Sequence, residues 1–343
     1  MKSLIWENNS IKLVEKPYPQ IIHPRDAIVK VHLSSICTSD LHIKHGFVPR
    51  AKQGVTLGHE FVGEIIKIGS EIKNLKIGDK VSANVETFCG ECYFCKQGFI
   101  NNCENGGWEL GCRIDGAQAE YVRVPFADKS LNKLPKNVSY KNALFVGDVL
   151  ASGYFGAELC EIKDEDTIAI IGSGPVGLCA MASARVLGAK EIIAIDINKD
   201  RLNTALKQRL ADHAFNPKNC NIEAEVKNLT NKRGADCVIE AAGGNNTFEM
   251  AWKIARPNAN IALIGMYEKE QILPLPDMYG KNLVFKTGGV DAKHSDKLLE
   301  LISKGKINTD FLITQTFKFE EIEQAYNFFE NKPEFCLKIA LEY

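Results

Sequence analysis

Residues 167–184 carry no charged side chain across 18 positions, and this run constrains the fold more than any other part of the chain. Eighteen uncharged residues just reach the length of a membrane span. Gly172, Ser173, Gly174, Pro175 and Gly177 interrupt the run, however, and lipid would leave such irregular backbone unsatisfied. The alternative is a buried strand, a tight glycine turn and a buried helix. The run then contains Gly172-x-Gly174-x-x-Gly177, and Pro175 and Val176 within it are cofactor-binding candidates with the glycines. A second strand-like run, 191–196, ends in Asp196, 19 residues after Gly177. A strand, three glycines, a helix and a distal acid form the dinucleotide fingerprint. Gly172 permits the turn, Gly174 lets a pyrophosphate approach the backbone, and Gly177 lets helix and strand pack closely. The helix N-terminus then offers N–H groups to the phosphates. Asp196 is placed to accept from the adenosine ribose of NAD and to repel the extra phosphate of NADP. Lys199 and Arg201 nearby keep NADP open as a possible cofactor.

The surrounding texture divides the chain. Residues 1–150 hold short apolar runs (27–33, 61–68, 80–85 and 119–124) punctuated by glycine and proline, the pattern of an antiparallel β barrel or sandwich. From 151 to 288, strand-like runs at 167–171, 191–196, 236–241, 260–265 and 283–287 alternate with helix-like stretches at 177–188 and 199–210. Repeated β-α units imply a parallel, doubly wound sheet. The tail, 289–343, has helix-like stretches at 297–304 and 320–331 and closes on an apolar strand, 337–341. An α/β chain of two domains is expected, consistent with 343 residues. The 42 basic and 43 acidic residues nearly cancel, so no field draws the chain to nucleic acid or an acidic membrane. The N-terminal sixteen residues lack an apolar secretory core, which points to the cytoplasm.

Eleven cysteines, an odd number, argue against a disulfide framework. Cys89-x-x-Cys92-x-x-Cys95, followed by Cys103, places four thiols within 15 residues, enough to close a tetrahedral zinc shell on one loop. Such a site has no open position and is structural. A redox C-x-x-C is the alternative, but the βαβ setting it needs is absent from this half. A second, dispersed set comprises Cys37, His59 in Gly58-His59-Glu60, and Asp148 at the junction of the two halves. Cys, His and a carboxylate can hold zinc with a fourth position left for water or substrate oxygen. The remaining cysteines (Cys112, Cys160, Cys179, Cys220, Cys237 and Cys336) read as small buried hydrophobes.

These motifs together resemble the zinc-dependent medium-chain alcohol dehydrogenases of the medium-chain dehydrogenase/reductase superfamily, over essentially the whole chain. The resemblance rests on Cys37-Thr38-Ser39-Asp40-Leu41-His42, Gly58-His59-Glu60, the Cys89/Cys92/Cys95/Cys103 lobe and the glycine motif. Residues 148–159 look most like the bacterial secondary-alcohol branch, and residues 107–121 are similar to formaldehyde-dehydrogenase-like members. The resemblance implies a GroES-like β domain, a Rossmann domain and a tail returning to the first, with the active site in the cleft between them. It implies a catalytic zinc on Cys37, His59 and Asp148, with Glu60 able to approach the metal, and a structural zinc on the four cysteines. Asp40 would fix the His59 tautomer, Ser39 would relay the substrate proton and His42 would pass it to solvent. Thr38 stands where some members have a phosphate-binding arginine, and Lys338 is the candidate cationic substitute. The implied reaction interconverts an alcohol and its aldehyde or ketone with NAD(H), in a homodimer or homotetramer. Polyol, threonine or formaldehyde oxidation by the same machinery is an alternative, and a non-catalytic dinucleotide-binding protein is another.

Overall fold

The computed structural model describes residues 1–331, 333 and 335–343. The chain packs as two compact units, Met1–Ala151 with Asp291–Tyr343, and Ser152–Val290.

The first unit is built on a seven-stranded sheet. Its order is Ile313–Lys318, Lys338–Glu342, Ala27–Ile36, Phe61–Ile68, Lys80–Ala83, Leu131–Lys133, with Tyr121–Val124 pairing separately on Ala27–Ile36. All pairs are antiparallel except Ile313–Lys318 on Lys338–Glu342, which is parallel. Val29, Val31, Phe61, Ile65, Val81 and Val122 fill one core, and Leu4, Ile36, Phe319, Tyr326 and Ile339 fill another. Burial of each such side chain contributes roughly 1.5–3 kcal/mol. The returning strand Lys338–Glu342 pairs with Ile36 through Ile339, so Lys338 comes to lie beside the end of the strand that delivers Cys37.

The second unit holds six parallel strands in the order His213–Phe215, Glu191–Ile195, Thr167–Ile171, Ala235–Glu240, Ala255–Leu263, Val284–Thr287. Thr167–Ile171 is buried at all five positions, as expected of a parallel strand covered on both faces. The strand order reverses beside it, so the turn after Ile171 opens at a switch point. The uncharged run therefore resolves into this strand, the glycine turn and the helix Pro175–Val186. The helix starts at Pro175 rather than Gly177, because proline fits the first helical position. Elements of this unit without a counterpart in the sequence reading include the strand His213–Phe215 and the helices Ile222–Leu229 and Thr247–Ile254.

Five of the six scattered cysteines are buried and Cys220 is half-buried. Among the described residues no helix is long and apolar enough to cross a membrane.

Candidate active site and metal centres

Cys37 caps the helix Thr38–Lys44 directly after the strand Ala27–Ile36. Its backbone N–H donates to Asp40 Oδ2 at 2.9 Å, which closes the first turn and buries Asp40 completely. Gly58 has φ +95°, and a Cβ there would lie 2.6 Å from the Gln118 side chain. Only glycine makes the turn that brings His59 inward. Asp148 comes from a π-helical turn, Val146–Leu150. Such turns recur where a side chain must be re-aimed.

The donor atoms of Cys37, His59 and Asp148 all lie within 4.8 Å of one another. His59 is buried, with Nδ1 3.3 Å from Asp40 Oδ1 and Nε2 3.3 Å from Asp148 Oδ2. Burial alone would depress the ring's proton affinity, but Asp40 and Asp148 hold it well above the ordinary histidine value. This is a place built to hold positive charge. A thiolate, an imidazole nitrogen and a carboxylate suit zinc, and three protein donors leave a fourth position open. Asp40, behind the ring, fixes which nitrogen faces the other ligands. Asp40 is itself held by Gln118 Nε2 at 3.2 Å, and Tyr326 donates to Gln118 Oε1 at 2.7 Å. Gln118 and Tyr326 have no place in the sequence reading, because nothing local marks them as partners of Asp40.

Ser39 Oγ lies 3.6 Å from Cys37 Sγ. Ser39 and His42 are three residues apart on one helix, hence on one face. A hydroxyl beside the metal donors and an imidazole one turn further out can move a proton.

Glu60 and Lys338 form a buried pair beside this set. Lys338 is 3% exposed, and its ammonium pairs with Glu60 Oε2. The strand register that sets Lys338 beside Cys37 gives this charge a buried carboxylate as partner. Glu60 is absent from the converging donor set. Burial raises its pKa to about 7 against the opposing pull of Lys338. The Lys338 ammonium is held above its usual range despite burial, by Glu60 and then Cys37.

Further polar atoms near this set stand unpaired, Glu60 Oε1 among them. Trp108 packs edge-on to His59 with ring centroids 5.5 Å apart, and its Nε1 is buried without a hydrogen-bond partner. Glu86 is 6% exposed, and its Oε2 is likewise buried without a partner. Burial, then Asp291 and Asp148, push the Glu86 carboxyl up to about 9. Leaving such an atom unpaired costs roughly 1–3 kcal/mol. The only sequence signal for Glu86 is an acid in an apolar stretch leading to Cys89.

The sulfurs of Cys89, Cys92, Cys95 and Cys103 also lie within 4.8 Å of one another. Cys89 Sγ accepts N–H bonds from Cys92 at 3.4 Å and Glu91 at 3.5 Å. Burial opposes ionisation of Cys89, yet the donors from Glu91, Asn105 and Cys92 bring its pKa to about 6. Backbone donors aimed at a sulfur suit a thiolate held by a metal.

In the second unit the glycines divide their roles. Gly172 has φ +96°, and a Cβ on Gly177 would lie 1.8 Å from the Gly172 carbonyl oxygen. A Cβ on Gly174 would meet nothing nearer than Arg201 Nη1 at 3.9 Å, so its backbone stands open to a ligand. Pro175 and Val176 form the first turn of the helix. Asp196 Oδ2 accepts from Ser173 N–H at 2.7 Å and Oδ1 from Asn198 N–H at 2.8 Å. It therefore ties the glycine turn to the second strand end, with Arg201 Nη1 3.9 Å away.

Residues 23–136 match the alcohol dehydrogenase GroES-like domain family, and residues 175–304 match the zinc-binding dehydrogenase family. An alcohol dehydrogenase of Cupriavidus necator is 35% identical over 365 residues, covering 100% of this chain and 98% of its own. The NADP-dependent isopropanol dehydrogenase of Thermoanaerobacter brockii is 32% identical over 333 residues, covering 94% of each chain. Among solved structures, an alcohol dehydrogenase from Thermus sp. ATN1 superposes with a TM-score of 0.93 at 36% identity, covering 100% of this chain and 99% of its own. With both families matched in chain order and relatives alike from end to end, the chain belongs to the zinc-dependent medium-chain alcohol dehydrogenases.

Proposed function

We propose that this protein interconverts an alcohol and its aldehyde or ketone using NAD(H), with one zinc held by Cys37, His59 and Asp148 and a second by Cys89, Cys92, Cys95 and Cys103. The observation that carries the reading is the convergence of Cys37, His59 and Asp148 beside Ser39. When bound, such a zinc acidifies an alcohol and polarises a carbonyl, and the nicotinamide exchanges the hydride. The chain's own residues do the rest. Asp40 orients His59, and the buried Lys338 ammonium, paired with Glu60, also lies within electrostatic reach of Cys37 and Asp148. Ser39 Oγ takes the alcohol proton, and His42 passes it outward. Zinc analysis of purified protein, combined with turnover on a panel of alcohols and carbonyls with NAD and NADP, tests the reading. No turnover by zinc-replete protein would refute it.

A cytoplasmic setting suits thiolate ligands, which need reduced cysteines. A homodimer or homotetramer forming through the edge strand Val284–Thr287 is part of the same reading. Near that edge Tyr279 is 92% exposed, Ile272 83% and Leu275 64%, apolar area that a second copy would cover.

The choice of NAD rests on Asp196, where a carboxylate would face the 2′-phosphate of NADP. Replacing it with glycine removes that repulsion, the ribose acceptor and the ties to Ser173 and Asn198 together. In Asp196→Gly, kcat/KM with NAD is expected to fall about 10–100-fold, the loss of one or two charged hydrogen bonds. The NADP-to-NAD ratio is expected to rise, because Arg201 is released from its carboxylate. Steady-state kinetics with both cofactors decide the matter. A ratio that does not move removes Asp196 from cofactor choice.

A further inference from the structure

Glu86 takes no part in the chemistry proposed above, yet the fold holds it beside that chemistry. The Val85 N–H donates to the Gly147 carbonyl at 3.1 Å, so the stretch carrying Glu86 lies against the turn that presents Asp148. Asn84, two residues earlier, is satisfied: it accepts from Asn132 at 2.8 Å and from Ser295 at 2.7 Å. Glu86 is only half satisfied. The backbone of Ala292 lies near its carboxyl, Asp291 and Asp148 lie within electrostatic reach, and Oε2 is buried with no partner. Trp108 Nε1, on the ring against His59, is a second buried polar atom without a partner.

An alcohol with a single oxygen would commit that oxygen to the metal and leave both atoms unpaired. A substrate with another hydroxyl near the reacting carbon can pair one of them, since a hydroxyl both donates and accepts. We infer that Glu86 is a specificity-determining residue whose free carboxyl oxygen hydrogen-bonds a second hydroxyl of the substrate, so that the enzyme favours diols and the hydroxyketones they yield over monoalcohols. The inference rests on the oxidoreductase reading and narrows its substrate class. In the step, the carbinol C–H bond breaks and its hydride reduces NAD⁺ to NADH. The carbinol hydroxyl loses its proton to solvent as the C=O bond forms. The second hydroxyl is unchanged.

The test uses zinc-replete wild type, Glu86→Leu and Glu86→Gln with butane-2,3-diol and butan-2-ol. Wild type is expected to favour the diol in kcat/KM by about tenfold or more, and Glu86→Leu to lower the diol-to-monoalcohol ratio by about 10–100-fold. Glu86→Gln keeps a hydrogen-bonding oxygen and is expected to retain most of the ratio. Should Glu86→Leu not fold, Glu86→Met makes the same cut. A wild type indifferent to the second hydroxyl, or a ratio unmoved in the apolar variant, overturns the inference. So does a preference for 3-aminobutan-2-ol over the diol, which would assign the carboxyl to an ammonium group. The Kd of each alcohol for the NADH-loaded protein, a complex that cannot turn over, separates this failure from that of the broader reading. If wild type turns over nothing on the wider panel of alcohols and carbonyls, the oxidoreductase reading falls. Tighter diol binding that is lost in Glu86→Leu would still support the role of Glu86, and equal binding of both alcohols would overturn it.

Discussion

Ser39→Ala is expected to lower kcat by about 10²–10⁴-fold, the usual contribution of one positioned proton-transfer group. Ser39 Oγ lies 3.6 Å from Cys37 Sγ but is not one of the converging donor atoms. Zinc content should therefore stay at the wild-type value. NAD affinity should also stay, because the glycine motif and Asp196 belong to the other unit. Ser39→Thr keeps the hydroxyl on the same helical position and is expected to recover most of the rate. His42→Ala is expected to cost less, because water or buffer replaces an imidazole at the outer end of a relay. Two measurements give these outcomes discriminating power. The solvent isotope effect on the chemical step should change in Ser39→Ala, and added formate or imidazole should rescue His42→Ala more than Ser39→Ala. An unaltered single-turnover rate in Ser39→Ala would take Ser39 out of the mechanism.

The local parts of this molecule were legible in the sequence and the long-range parts were not. The four cysteines lie within 15 residues, so spacing alone draws them together. The glycine turn is equally local: strand, turn and helix are consecutive, and Phe61–Ile68 and Thr167–Ile171 fall where the apolar runs put them. Cys37, His59 and Asp148 are different. Their convergence depends on the strand Ala27–Ile36, a glycine turn and a π-helical turn; residue types alone joined them as a dispersed donor set, and the family resemblance added their role. The pairing of Lys338 is long-range in the same way. The resemblance offered it as a cationic substitute for a phosphate-binding arginine, while its partner here, Glu60, is 278 residues away and is reached through the pairing of Ile339 with Ile36. Gln118, Tyr326 and Glu86 were silent for the same reason: each acts through contacts that no spacing encodes. The missed strand His213–Phe215 is three residues long, too short for any alternation to register.

Cys92→Ser tests the other metal centre and should have the largest effect on stability. The lobe that carries the four cysteines has little else to hold it. Among the described residues its core is Cys89, Cys92 and Cys103 themselves, with Phe88, Cys95 and Phe126 packed against them and Ile100 buried nearby in the chain. Tyr93 and Phe99 point outward at 66% and 54% exposure, so the loop buries too little apolar surface to order itself. A structural zinc bound with an apparent free energy of about 10–16 kcal/mol would supply the difference, and that binding free energy is folding free energy for the lobe. A serine oxygen is a poor substitute for a thiolate, and three remaining thiols cannot close the shell. Zinc is therefore expected to fall from about two to about one per chain, with the midpoint of thermal unfolding dropping by roughly 10 °C or more, the shift that a loss of several kcal/mol produces in a domain of this size. Limited proteolysis should then cut within residues 90–102, where wild type resists. Turnover per remaining zinc should be affected far less, since the cysteine cluster holds no open coordination position. A variant that keeps both zinc ions, or unfolds at the wild-type temperature, would show that the four sulfurs do not form the structural shell their convergence within 4.8 Å describes.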